Sequence, residues 1–233
     1  MNKRNWRQYT LIFTIVGCLQ FIVLSSIAML IYGGGTRINP NSSGYTFYLN
    51  FFSDLGRIES FGNPNTVSAV LFFVTLSVAS ISFALYFIAI PGIIGDNKTN
   101  HLKALSILGV INAGFFGCIA LTPADLLPLL HDLTVFLTFI LSFTVSMLMY
   151  FLFRNIETIP RIYHLTFLVF CCLIALYGAV SLVTTFFPEG YTEISLFLRV
   201  IMQKIVIYYL IGCFFIQSVG ALKNYPVIHW SLW

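Results

Sequence analysis

The chain has 233 residues, of which 58% are hydrophobic and only 9% charged, whereas a soluble domain covers its surface with about a quarter charged residues. Its formal net charge is +4, but the cations flank apolar stretches, so they report topology and imply no nucleic-acid surface. Composition thus excludes a soluble globular enzyme and points to a single all-α integral membrane bundle over residues 1–233.

Six stretches have the roughly 20 apolar residues that a helix needs to cross about 30 Å of hydrocarbon: 9–32, 66–90, 104–121, 132–153, 162–187 and 195–220. Lys3, Arg4 and Arg7 precede the first, and Ser26-Ile27-Ala28 resembles a cleavage site. The apolar run exceeds the about 7–15 residues of a secretory core, which predicts a retained helix. The first outer connector, 33–65, is longer than a turn needs. It opens on Gly33-Gly34-Gly35, closes on Gly62-Asn63-Pro64-Asn65 and is aromatic-rich between them. That pattern predicts a short helix, interfacial or re-entrant. The connectors 91–103 and 154–161 read as plain turns, and 122–131 as a short link. Cys18, Cys118, Cys171, Cys172 and Cys213 all fall in apolar stretches, so they read as small apolar side chains without disulfides or redox spacing.

Lysine and arginine segregate. Lys3, Arg4, Arg7, Lys98, Lys103, Arg154, Arg161 and Lys223 fall on one side, with Arg37 and Arg57 alone in loops on the other. This bias predicts a multi-pass protein of the cell membrane with both termini cytoplasmic and Trp6, Trp230 and Trp233 at the inner interface. The outer side holds Asp54, Glu59, Asp125, Asp132, Glu189 and Glu193.

Three polar clusters interrupt this scheme. Arg199, Gln203 and Lys204 lie in the last span. Arg199 and Gln203 share a face, and Lys204 sits about 14 Å below the outer end at 1.5 Å per residue. A charge at that depth costs roughly 2.5–3.5 kcal/mol and needs an acidic or carbonyl partner, with Asp54 or Asp125 preferred. Ser53-Asp54-Leu55-Gly56-Arg57 forms the second cluster. Asp54 is a candidate acid, metal ligand or Lys204 partner and Arg57 an anion-holding group, or else Ser53 or Asp54 caps a short helix while Arg57 pairs with Asp54 at the surface. In the third, Asp125 precedes His131 and Asp132, a grouping suited to acid/base work or to favouring a helix start. HExxH, GxSxG, P-loop and CxxC patterns are absent, which removes the corresponding enzyme classes, and the sequence names no cofactor.

Gly33-Gly34-Gly35-Thr36, Gly44-Tyr45, Asn50-Phe51-Phe52-Ser53-Asp54-Leu55-Gly56-Arg57 and Asn63-Pro64-Asn65 form a series of blocks. Pro123-Ala124-Asp125, His131 and Gln203-Lys204 continue it. Together they resemble the prokaryotic membrane-protein family catalogued as domain of unknown function 998, over nearly the whole chain. That family often has a proline in the first Gly-rich turn and an arginine where this chain has Lys204. The resemblance implies a six-helix fold and a shared polar site, and no substrate.

Three functions stay open. An intramembrane enzyme acting on a lipid or lipid-linked substrate would use Asp54, Asp125 and His131 catalytically, with Arg57, Asp132, Arg199, Gln203 and Lys204 holding an anionic or lipid-like molecule. A transporter, channel or lipid carrier would use the same groups as a pathway. A scaffold or partner subunit would use them to fix helix packing among membrane lipids. The orientation is testable: in a variant lacking the native cysteines, Ser42→Cys is expected to react with an impermeant maleimide on intact cells. Reaction only after the membrane is broken would reverse the topology.

Overall fold

In an apolar solvent a segment is stable when its backbone groups bond within it, so long helices dominate. The computed structural model describes residues 3–94, 100–157, 159–186 and 192–224. Among these, six helices follow in order: α1 Lys3–Leu30, α2 Thr66–Ile94, α3 Asn100–Leu121, α4 Pro128–Arg154, α5 Arg161–Phe186 and α6 Glu193–Asn224. Each is long and apolar enough to cross a membrane. Even α3, with 22 residues, extends about 33 Å at 1.5 Å per residue.

Several ends differ from the expected spans, two of them through proline. α2 continues past residue 90 with Pro91 inside it. A proline ring removes one N–H and leaves the carbonyl four residues back without its helical donor. That carbonyl is Phe87 O, and Ser106 of α3 donates its hydroxyl to it at 2.8 Å. Arg7 of α1 likewise donates to the Gly92 carbonyl at 2.6 Å, serving a helix end whose last carbonyls lack partners. The connector 91–103 is therefore helical at 91–94 and 100–103 rather than a plain turn. α4 starts at Pro128 instead of residue 132, because a first-turn proline gives up no helical bond. His131 and Asp132 consequently lie within α4 rather than at its first residue. α1, α3 and α6 also begin earlier than expected, and α6 runs further, ending beyond Lys223. Lys98, Glu189, Trp230 and Trp233 lie outside the described residues.

Each helix packs on its successor, and α6 returns to α1, closing a ring. Small residues permit the close approaches: a Cβ on Gly17 of α1 would come 2.6 Å from the Ser82 hydroxyl of α2. Thr14 donates to the Ser82 carbonyl at 3.2 Å. Serines and threonines such as Thr14, Ser68, Thr75 and Ser82 are fully buried, while Leu30, Val67, Ile107 and Leu129 are exposed. This is the reverse of a soluble protein. Toward the Lys3 end of α1 and the Asn224 end of α6, the ring is filled by Phe214, which stacks on Phe83 at 3.9 Å and meets Tyr86 and Phe87 edge-on at 5.2 and 5.7 Å. The five cysteines carry no disulfide.

Ser106→Ala is expected to cost about 1 kcal/mol by stranding the Phe87 carbonyl. In a Pro91→Ala background, where a restored N–H serves that carbonyl, the same change should cost almost nothing. Equal costs in both backgrounds, read by detergent-titration unfolding, would show that the hydroxyl does not stand in for the missing donor.

Candidate functional site

The connector between α1 and α2 folds back over the end of the ring, and side chains supply the hydrogen bonds that its irregular backbone lacks. Gly34 and Gly35 have φ of 107° and 83°, and a Cβ on Gly35 would lie 2.7 Å from Phe61 Cβ, so the turn requires glycine. Asn50, fully buried, donates from Nδ2 to the Gly35 carbonyl at 2.8 Å and accepts the Thr46 N–H on Oδ1 at 2.8 Å. Asn65 accepts the Gly33 N–H at 3.0 Å and donates to the Leu55 and Arg57 carbonyls at 3.3 and 2.7 Å. The Tyr45 hydroxyl donates to the carbonyls of Asn50 and Phe51, both at 3.1 Å. Burial, helped by the Asp54 carboxylate, pushes the Tyr45 phenol well above its ordinary pKa of 10.0, so it remains a donor.

The short helix of the connector is a 3-10 helix, Phe52–Gly56, followed by a minimal antiparallel pair, β1 Glu59–Ser60 and β2 Asn63–Pro64. The 3-10 helix packs against α1, α2 and α6. Phe52 stacks on Phe21 at 5.4 Å and meets Phe72 and Tyr208 at 5.9 and 5.7 Å. Asp54, 1% exposed, accepts the Phe51 N–H at 2.7 Å on one oxygen and pairs with Arg57 Nε at 2.9 Å on the other. The capping and pairing expected of this block are thus present, but buried rather than at the surface.

Lys204 does not take the carboxylate partner preferred for it. Its Nζ donates to the Asn50 carbonyl at 2.5 Å and lies 4.8 and 5.2 Å from the ring centres of Phe47 and Tyr45. A carbonyl and two aromatic faces satisfy the ammonium while Asp54 stays with Arg57. The neighbouring Gln203 accepts the Phe52 N–H on Oε1 at 2.8 Å. Arg37 and Arg199 approach one ring, that of Phe51, at 4.9 and 6.0 Å.

The remaining candidates make other contacts. Asp125 accepts the Glu59 N–H at 2.8 Å, tying the link between α3 and α4 to β1. His131 is buried with Nδ1 2.7 Å from the Thr122 carbonyl, and since a carbonyl only accepts, Nδ1 carries the proton. No hydrogen bond joins His131 to Asp54 or Asp125 among the described residues. Asp132 is exposed. The segment 45–57 therefore gathers Asp54, Arg57, Arg199, Gln203 and Lys204, with Asp125 attached through Glu59.

Beneath Phe52 and Ser53 the ring encloses about 550 Å³ of unfilled space, counting the part that opens outward. Its walls are apolar, with Phe21, Leu76, Phe116, Phe139 and Leu210 among them, and its polar lining comes from Ser53, Thr138, Ser142 and Gln203. Further along α2 and α6, the Phe83–Phe214 stack fills the interior.

Two features carry little signal of their own in the sequence. Asn50, the organiser of the connector, is one polar residue within a motif block. The buried row Thr134, Thr138, Ser142 and Ser146 repeats every four residues on one face of α4. That spacing was the available signal, and it places two hydroxyls in the cavity. Six apolar helices with their polar side chains turned inward define an integral, multi-pass membrane protein. Comparison of the chain with family models, curated proteins and solved structures finds no match.

Asp54→Ala is expected to cost about 3 kcal/mol, because Arg57 and the Phe51 N–H both lose their partner in a buried setting. Arg57→Ala should cost less, and the double variant less than the sum of the two. Unfolding in detergent checks this ranking, and additive costs would mean that the pair does not interact.

Proposed function

We propose that this protein holds a lipid-like molecule in the cavity at the centre of its helix ring, with the segment 45–57 as the cover of that site. The observation that carries this reading is an apolar cavity, partly open outward, walled by all six helices. Its polar lining consists of hydroxyls and one amide, which suits binding better than proton transfer. The carboxylates and the histidine are engaged in holding loops and turns, as the bonds of Asp54, Asp125 and His131 indicate. The aromatic packing below the cavity favours a blind pocket over a conducting path.

In this proposal the cover faces outward and both termini are cytoplasmic, in keeping with the lysine and arginine bias. The exposed apolar faces meet the acyl chains of the cell membrane. Kinship with the domain of unknown function 998 family is part of the same reading. Its support is that residues of the resembling blocks, Asn50, Asp54, Arg57, Asn65, Gln203 and Lys204, are those that build and anchor the cover. A scaffold role is the second reading, favoured by the engagement of Asp54 and Lys204 within the chain.

Native mass spectrometry of protein extracted from membranes in mild detergent is expected to show one retained lipid-like molecule. Leu210→Trp and Val135→Phe, which fill the cavity from two walls, should each abolish the adduct while the protein still unfolds cooperatively. A wild-type protein free of adduct, or adduct undiminished in both folded variants, would move the scaffold reading to first place.

A further inference from the structure

The hydrogen-bonding capacity of the cavity is unevenly spent. Thr138 donates its hydroxyl to the Thr134 carbonyl at 2.7 Å. Ser142 exchanges hydrogen bonds of 3.0 and 3.3 Å with Asn112 of α3. Gln203 uses Oε1 on the Phe52 N–H, but its Nε2 donates to none of the described residues. Gln203 is only 5% exposed and lines the cavity. An amide N–H that borders an apolar space is best satisfied by an acceptor that enters that space. Ser53 is the other lining group without a hydrogen bond to a described residue, and it follows Phe52, whose N–H Gln203 holds. Unspent donors therefore collect at the covered end of an apolar space.

Charge narrows the choice of acceptor. Lys204 and Arg57 do not line the cavity, and they are bound to the Asn50 carbonyl and the Asp54 carboxylate. An anionic head at Gln203 would sit among aromatic and aliphatic side chains without a cation facing it, at a high desolvation cost. We infer that the ligand is an apolar chain bearing a neutral acceptor oxygen, such as an ester or ketone carbonyl, which Gln203 grips through Nε2 while the chain lies along Phe116, Phe139 and Leu210. This rests on the cavity being a ligand site, and it adds the chemistry that the site selects.

The test uses the full chain in detergent with three isotope-labelled probes of equal chain length: hexadecane, methyl palmitate and palmitate. Retention is measured by gel filtration and corrected for partition into detergent. Methyl palmitate should be held about tenfold more tightly than hexadecane, the worth of one net hydrogen bond. Gln203→Met should remove that preference and leave hexadecane retention in place, whereas Thr138→Val should leave the preference intact. The ratio of ester to alkane separates the lost hydrogen bond from any loosening of the cover, which moves both probes alike. If Gln203→Met does not fold, the wild-type ratio decides. Equal retention of ester and alkane overturns the inference while leaving a ligand site, and preference for palmitate over the ester overturns it in favour of an anionic head. Failure to retain any of the three sinks the ligand-site reading together with this one.

Discussion

A backbone group shut away from water must find its partner inside the protein, and the connector between α1 and α2 meets that demand mostly outside its short 3-10 helix and two-residue strand pair. It buries its middle against three helices, so its amides and carbonyls need donors and acceptors from elsewhere. α6 supplies two of them. The Lys204 ammonium takes the Asn50 carbonyl, and the Gln203 side chain takes the Phe52 N–H. Asn50, Asn65 and Tyr45 serve the rest from within the connector or its junction with α2. Polar residues in a membrane span usually signal chemistry or a pathway. In this protein two of them complete the backbone of a distant loop.

The six spans were legible because apolar length alone specifies them, and the polar character of the connector end was legible because charges stood out against it. Helix ends were less so. Nothing local to Pro91 announces that Ser106, in the next helix, supplies the missing donor to Phe87. Depth along α6 showed that Lys204 needed a partner, but the partner's identity depended on how a long loop folds. The carboxylate that seemed the natural choice was already claimed by an arginine three residues away. The row of hydroxyls on α4 is present as a four-residue spacing, but serine and threonine also occur in spans as small residues that bond their own helix backbone, so the spacing alone does not mark a cavity.

Cover and cavity are not independent parts. Gln203 gives its oxygen to the cover and also lines the cavity, and Phe52 and Ser53 are at once the underside of the cover and the upper lining. Whatever enters beneath Phe52 acts on the amide that holds Phe52 in place. An acceptor held by the Gln203 nitrogen, as inferred above, would polarise the same amide and couple occupation of the cavity to the hold on the cover.

The ring closes where α6 meets α1, and this has a bearing on how the chain is made. Synthesis delivers the connector near the start and Gln203 and Lys204 some 150 residues later, with four spans inserted between. Through that interval the Phe52 N–H lacks its acceptor and the Asn50 carbonyl has Tyr45 but not Lys204, so the connector has reason to stay in the aqueous phase, where water bonds those groups. The last helix is then more than the closing wall. Its arrival supplies the partners that hold the Phe52 N–H and the Asn50 carbonyl in a dry interior.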